Sequence, residues 1–120
     1  MVSILIVEDE PPIMRLVKSI LAGSGYEVLC ATTAEEGLKM AADRDAPIHL
    51  LLANVILPGM LGTELAKMLK KARPTMRVIL MSGKSRGSMA VLQGGWQFLG
   101  KPFMRTELLE RIRGELEGKL

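Results

Sequence analysis

Short apolar runs alternate with longer segments of helical period along this chain. Five such runs are each followed by a segment in which apolar residues recur every three or four positions. This alternation is typical of parallel strands joined by crossover helices, because parallel neighbours cannot be linked by a tight hairpin. The run at 48–53 is apolar except for His49, as expected of a central strand covered on both faces. The pattern predicts an α/β fold.

Turn and capping residues set the limits of the predicted elements. The predicted strands are 3–7, 27–31, 48–53, 77–81 and 96–100, and the predicted helices are 11–22, 34–42, 62–71, 85–93 and 105–116. Asp9 or Glu10 is expected to cap the first helix, and Thr33 with Glu36 to form a capping box on the second. Residues 57–60 are predicted to form a turn. Leu16 and Met68 are expected on the buried faces of their helices.

Composition limits the class of protein. A chain of 120 residues with 48% hydrophobic residues fits one domain, spanning 1–120. Cys30 is the single cysteine, so neither an internal disulfide nor a multi-cysteine metal site can form. The start of the chain lacks the features of a signal peptide, and no apolar run could cross a bilayer, so we expect a cytoplasmic protein. The net charge of +3 comes from scattered basic residues, so we expect no nucleic-acid binding.

Polar residues stand where four of the predicted strands end. Glu8 and Asp9 follow the first strand, Asn54 the third, Ser82 the fourth and Lys101 the fifth. Sites in open parallel sheets form in the crevice beyond the carboxyl ends of the strands. These residues are therefore candidates for one functional site.

These residues, in this order and spacing, resemble the receiver domain of two-component response regulators. The matching segments are 4–10, 50–62, 78–83 and 98–103, so the resemblance covers essentially the whole chain. It implies a doubly wound, flavodoxin-like fold whose five strands lie in the order 2-1-3-4-5. It also implies a non-enzymatic signalling domain of a phosphorelay that accepts a phosphoryl group from a histidine kinase.

The resemblance also assigns roles to individual residues. Asp9 would bind Mg²⁺ directly, Glu8 mainly through water, and the backbone carbonyl of Ile56 would complete the protein ligands. Ser82 and Lys101 would hold the phosphoryl group. Phe98 matches the family's rotating aromatic switch, although it can equally be a core phenylalanine. The resemblance further suggests a cis bond between Lys101 and Pro102, which would point the lysine into the site.

Asn54 departs from the family pattern, because it falls where the family has the phosphoacceptor Asp. An amide oxygen is neutral and its nitrogen lone pair is delocalised, so no stable acyl phosphate should form. Replacing one of three clustered carboxylates should also weaken Mg²⁺ binding. We therefore predict a degenerate receiver that works through protein contacts. The alternative is an ordinary receiver whose acceptor was replaced by Asn, either in nature or by design.

Several of these residues have a second interpretation. Glu8 and Asp9 could simply cap a helix, and Lys101 could be solvated or paired with either of them. Trp96 could anchor a partner or cover a helix end. The face between the fourth and fifth predicted helices could form a homodimer or remain a solvated charged surface. Two enzyme classes fit poorly. A haloacid-dehalogenase phosphatase needs an Asp at 54 and another at 56, and a flavodoxin needs a phosphate loop where residues 8–12 are acidic and proline-rich.

Overall fold

Five parallel strands form one sheet, with helices on both faces. The computed structural model describes residues 1–83 and 95–118. The strands of this sheet are β1 (Ser3–Val7), β2 (Glu27–Ala31), β3 (Leu50–Asn54), β6 (Arg77–Ser82) and β7 (Gln97–Gly100), and the helices are α1 (Pro11–Gly23), α2 (Ala34–Ala42), α3 (Gly62–Ala72) and α4 (Arg105–Leu116). The strands β4 (Ile56–Leu57) and β5 (Met60–Leu61) form a separate two-stranded sheet. The order of the main sheet, β2-β1-β3-β6-β7, therefore confirms the predicted order 2-1-3-4-5.

Successive side chains of each strand point to opposite faces of the sheet, so the core consists of two layers. Along β3, Leu51 and Ala53 lie in the layer that also contains Leu65 and Leu69 of α3. Leu50 and Leu52 lie in the opposite layer, with residues of α1 and α4. Because both faces are covered, β3 is buried at every position. This explains why its sequence is continuously apolar up to Asn54.

The helix ends follow the predicted chemistry in part. The Thr33 hydroxyl accepts a hydrogen bond from the Glu36 backbone N–H at 3.1 Å, as predicted for α2. At α1 the prediction was wrong. Glu10 stands at the N-cap position but its side chain makes no capping hydrogen bond, and the Glu8 carboxylate instead accepts from the Glu10 backbone N–H at 3.0 Å. The acidic residues after β1 are therefore not helix caps in the ordinary sense.

Two residues that were predicted to be buried are exposed in the structure. Leu16 is 53% exposed and Met68 is 48% exposed, so both point away from the core, which Met14 and Ala66 enter instead. The predicted turn at 57–60 is the tip of a small antiparallel hairpin of β4 (Ile56–Leu57) and β5 (Met60–Leu61). The predicted helix at 85–93 lies outside the described residues.

A close backbone approach fixes the start of α3. A Cβ built on Gly62 would lie 1.9 Å from the backbone oxygen of Asn54, so only glycine fits there. The Gly62 backbone N–H donates to the Val55 carbonyl at 2.6 Å. The chain is thereby folded tightly behind Asn54, with the β4–β5 hairpin between the end of β3 and the start of α3. Within the described ranges, no helix is both long and apolar enough to cross a membrane.

Candidate functional site

The sheet brings the four predicted strand ends together at its carboxyl edge. Backbone hydrogen bonds continue past the strands, from Glu8 N–H to the Ala31 carbonyl at 3.0 Å and from Lys101 N–H to the Ser82 carbonyl at 2.9 Å. Asn54 itself is the last residue of β3 and lies beside Met81 of β6. These bonds hold the backbone of each site residue in register with its neighbour, so the side chains converge on one crevice.

Glu8 is the buried centre of the site. Its side chain has no exposed surface, and Lys101 Nζ lies 2.9 Å from Glu8 Oε1. The other oxygen, Oε2, accepts a hydrogen bond from the Asn54 side chain at 2.5 Å and one from the Glu10 backbone N–H. Burying a carboxylate is costly unless it is paired and hydrogen-bonded. Here Oε2 accepts two hydrogen bonds, whereas Oε1 is ion-paired with Lys101 and accepts no hydrogen bond from the described residues. The predicted pairing of Lys101 with one of the two acidic residues is confirmed for Glu8.

The Asn54 amide joins the two acidic side chains. Its Nδ2 donates to Glu8 Oε2 and, at 3.1 Å, to Asp9 Oδ1. The reverse orientation of the amide would place an oxygen against both carboxylates, so the hydrogen bonds fix the orientation. Asn54 is 5% exposed, and its Oδ1 has no hydrogen-bond partner within residues 1–83 and 95–118. The amide therefore donates to both carboxylates, while its own oxygen has no donor among the described residues.

A cavity of about 310 Å³ opens in front of these groups. Its lining includes all but two of the predicted site residues, since Glu8 lies behind it and Phe98 lies elsewhere. The lining residues are Asp9, Glu10, Asn54, Ile56, Met81, Ser82, Gly83 and Lys101. Asp9 and Glu10 are exposed at this surface, whereas Ser82 is buried. The cis bond suggested between Lys101 and Pro102 is present.

The side chains as arranged do not fit Mg²⁺. Mg²⁺ requires a nearly regular octahedron of oxygen ligands. Glu8 is bound to Lys101 and Asn54, and Asn54 presents a nitrogen donor to the two carboxylates. Among the described residues, no group of three or more His, Cys, Asp or Glu side chains is placed to hold a metal ion. The Asn54 amide turns its nitrogen, and not its oxygen, toward Glu8 and Asp9, so it supplies no oxygen ligand to a metal ion held between these two carboxylates.

Glu10 is a site residue that sequence reasoning missed. Its carboxylate Oε1 lies 3.6 Å from Lys101 Nζ, and it lines the cavity. The sequence signal was the third consecutive acidic residue in Glu8-Asp9-Glu10, which we interpreted as a possible helix cap. An acidic residue just before a helix can either cap the helix or line the pocket. The sequence pattern therefore does not distinguish the two roles.

The remaining candidates lie apart from the cavity. Phe98 and Trp96 are partly buried and pack against the core layer that contains Leu51 and Leu65. The Arg111 guanidinium donates to the Phe98 carbonyl at 2.5 Å, which ties β7 to α4. His49 Nδ1 accepts a hydrogen bond from the Ser3 backbone N–H at 3.0 Å, a structural role at the amino end of the sheet.

Comparison with known proteins identifies the family. The chain matches the family model described as response regulator receiver domain over residues 4–113. It is also similar to the crystal structure of a CheY-like response regulator receiver domain protein from Methanospirillum hungatei. The TM-score is 0.86 with 36% sequence identity, and the alignment covers 99% of this chain and 96% of that one. The protein belongs to the response regulator receiver family of two-component systems.

Its relatives include two kinds of longer protein. A transcriptional regulatory protein of Bacillus subtilis, YkoG, is 37% identical over 116 residues, which cover 94% of this chain and 50% of the relative. Histidine kinase P4 of Formosa agariphila is 32% identical over 123 residues, covering 98% of this chain and 9% of the kinase. The chain thus spans about half the length of the transcriptional regulators it matches and a small part of the kinase.

Proposed function

We propose that this protein is a degenerate receiver, with Asn54 at the phosphoacceptor position, and that it signals through protein contacts without being phosphorylated there. The observation that carries the proposal is the Asn54 amide, which donates to both Glu8 and Asp9. In this geometry the side chain offers N–H donors where the family's reaction needs an anionic oxygen nucleophile.

The electrostatics of the site support the same proposal. A carboxylate at residue 54 would lie within hydrogen-bonding distance of two others, and such a group requires a cation. The amide removes that repulsion and replaces it with two hydrogen bonds to charged acceptors, which are among the stronger kinds in proteins. The pocket is therefore stable without a metal ion, and any Mg²⁺ binding is weak. The protein has no catalytic activity of its own.

The proposed partners are signalling proteins, such as a histidine kinase or a downstream regulator. The family supports this, because the relatives include transcriptional regulators and a histidine kinase. A homodimer is a secondary proposal. Its interface would lie between the fourth and fifth predicted helices, 85–93 and 105–116. We propose no nucleic-acid contact by this domain, since its basic residues are dispersed.

Intact-mass spectrometry after incubation with acetyl phosphate and Mg²⁺ tests the proposal. We expect the wild-type mass to stay unchanged, because residue 54 has no carboxylate to attack phosphorus. The matched variant is Asn54→Asp, which changes a few atoms and supplies the nucleophile. A phosphoryl adduct on the wild-type protein that hydroxylamine removes would overturn the proposal.

A second candidate function is that of an ordinary phosphoaccepting receiver in which Asp was replaced by Asn. Its supporting observation is that Ser82 and Lys101 line the cavity together with Asn54. Rapid phosphorylation of Asn54→Asp would favour this ancestry, because the other groups would then be in working positions. An Asn54→Asp protein that also stays unmodified would count against it.

A further inference from the structure

Four exposed side chains share the outer face of α3. They are Glu64, Lys67, Met68 and Lys71, and the buried residues of the same helix belong to the core layer on its other side. Glu64, Met68 and Lys71 are spaced by four and then three residues, so they form one row along the helix. The row has a carboxylate at one end, an apolar side chain in the middle and an ammonium group at the other end.

Met68 is the unusual member of this row. It is 48% exposed, although burial of a methionine side chain would be favourable. Leu61, seven residues earlier, is 46% exposed and extends the apolar surface toward the β4–β5 hairpin. Ile56, the cross-strand partner of Leu61, is 58% exposed. Exposed apolar side chains that lie on one surface indicate a contact with another molecule more often than single ones do.

The charges of the row have no ionic partner within the protein. Among residues 1–83 and 95–118, no ion pair includes Glu64, Lys67 or Lys71. Lys67 and Lys71 are four residues apart, so two like charges are neighbours on the helix surface, which is unfavourable. The Glu64 carboxylate accepts a hydrogen bond from the Leu61 backbone N–H at 3.3 Å, and it remains exposed. A negative and a positive end of the same helix face can therefore both pair with another molecule.

A two-fold rotation makes this row complementary to itself. Met68 lies about 6 Å from Glu64 and about 4.5 Å from Lys71 along the helix axis, close to the midpoint between them. If a second copy packs its α3 antiparallel to the first, with the two-fold axis at Met68, Glu64 of each copy lies opposite Lys71 of the other. A parallel arrangement would place each charge against the same charge. The pairing uses only the two ends of one helix, and it meets the requirement of an isologous interface for a self-complementary surface.

We infer that the row Glu64, Met68 and Lys71 of α3 is the contact surface of an antiparallel homodimer of this chain. The inference goes beyond the proposed function and does not depend on the chemistry of Asn54. The surface is also separate from the face between predicted helices 85–93 and 105–116. A contact through one helix from each copy buries less surface than the ~1,200–2,000 Å² of stable interfaces, so we expect weak association, with a dissociation constant of about 0.1–1 mM.

Disulfide cross-linking tests the position of the two-fold axis. The single cysteine, Cys30, is first replaced by serine. In that background, Met68→Cys should form a disulfide-linked dimer at least about tenfold faster than Leu16→Cys, because the axis brings the two copies of position 68 within bonding distance. Leu16 is the matched control, since it is a comparably exposed apolar residue, at 53%, but lies on α1. Equal cross-linking rates would overturn the inference.

Complementary charge reversal tests the pairing. Lys71→Glu and Glu64→Lys should each weaken self-association at least about fivefold, because each variant places like charges opposite one another twice. An equal mixture of the two variants should associate as tightly as the wild-type protein, since the reversed charges pair again. Sedimentation equilibrium measures this, and circular dichroism checks the fold of Glu64→Lys, which also loses the hydrogen bond to Leu61. Lys71→Glu loses no hydrogen bond or ion pair of this kind, so its result stands alone if Glu64→Lys does not fold.

Two further results would overturn the inference. One is a wild-type protein that stays monomeric up to about 1 mM, and the other is a mixture of folded variants that associates no more than each variant alone. Arg113→Glu, at an exposed position of α4, is the control and should leave association unchanged. If it weakens association and Lys71→Glu does not, the dimer uses the other face and the inference is wrong. A phosphoryl adduct on the wild-type protein would contradict the proposed function alone.

Discussion

The two edges of the central sheet both carry charged side chains, but they use them differently. At the amino edge, the Arg44 guanidinium donates to Ser3 Oγ at 2.9 Å and to Glu27 Oε1 at 2.6 Å, and Ser3 donates to the same Glu27 oxygen. At the carboxyl edge, the paired groups Glu8 and Lys101 lie behind acidic side chains that face a cavity. At the amino edge the charged groups bond to other groups of the protein, whereas at the carboxyl edge acidic groups face an open cavity.

A second arginine completes the amino edge. Arg73, the residue after α3, donates to the carbonyls of Ala46 and Ala41 at 3.0 Å each and to that of Arg44 at 2.7 Å. These carbonyls belong to the end of α2 and the loop that leads to β3. Carbonyls at a helix end lack partners within the helix. The guanidinium adds a second donor to the Ala41 carbonyl, which also accepts from the Arg44 backbone N–H at 3.4 Å.

The difference indicates which edge serves stability and which serves function. The arginines at the amino edge bond to acceptors of the protein itself, so mutations there should affect folding alone. Among the described residues, the carboxyl edge has no donor for the amide oxygen of Asn54, and it exposes the carboxylates of Asp9 and Glu10. Only its innermost pair, Glu8 with Lys101, should affect the free energy of unfolding strongly.

The largest expected effect comes from breaking that innermost pair. Lys101→Met leaves the fully buried Glu8 carboxylate without its cation, and loss of one partner from a buried pair lowers the free energy of unfolding by about 3–5 kcal/mol. Urea unfolding followed by circular dichroism measures this. Lys67→Met, at an exposed position of α3, is the control and should change stability by less than about 0.5 kcal/mol. Equal, small effects of the two variants would mean that the Glu8–Lys101 pair contributes little to stability.

An intermediate effect is expected at the amino edge. Arg73→Met removes hydrogen bonds to three backbone carbonyls, which should lower the free energy of unfolding by about 2 kcal/mol. The same urea experiment measures it, with Arg15→Met on the exposed side of α1 as the control. The environment of Asn54 at the carboxyl edge should be unchanged. A folded variant whose Asn54 side-chain amide resonance had shifted in the nuclear magnetic resonance spectrum would contradict the division of roles between the two edges.

The smallest effect is a pH dependence at the amino edge. Hydrogen bonds from Ser3 and then Arg44 hold the pKa of the Glu27 carboxyl below its ordinary value of 4.5. A carboxyl with a lower pKa in the folded state stabilises the fold above the unfolded-state pKa, and this contribution is lost as the pH falls through the folded-state pKa. Stability should therefore decline as the pH falls below about 4.5. Glu27→Gln should flatten that part of the pH profile, and an unchanged profile would contradict the assignment.

Much of the fold was predictable because local periodicity and burial agree. The strands Ser3–Val7 and Glu27–Ala31 and the helix Arg105–Leu116 have the predicted bounds. The predictions of burial were wrong where an apolar residue lies at the border of the apolar face of a helix. Leu16 lies beside Val17 in sequence, and a rotation of α1 by one position decides which of the two is buried. Periodicity alone does not fix that rotation, which depends on contacts with β strands far away in sequence.

The sequence predicted which residues form the candidate site, but not which of them bond to each other. Glu8, Asp9, Asn54, Ser82 and Lys101 were all assigned to one crevice from their positions after strands, and the geometry confirms that they meet. Their partners were not predictable in detail. Asp9 and Glu8 are adjacent in sequence, yet Lys101 pairs with Glu8 and leaves Asp9 to Asn54. The choice depends on which side chain points inward after β1.

The sequence by itself determined the parallel fold, the family resemblance and the absence of a carboxylate at residue 54, since each depends on residue types and their order. Only the tertiary structure decided what Asn54 does in place of that carboxylate. Its amide donates to Glu8 and Asp9, which are more than 40 residues away in sequence, and leaves its own oxygen unpartnered among the described residues. Hydrogen bonds depend on distances and orientations in space, and these arise only when β1 and β3 lie side by side.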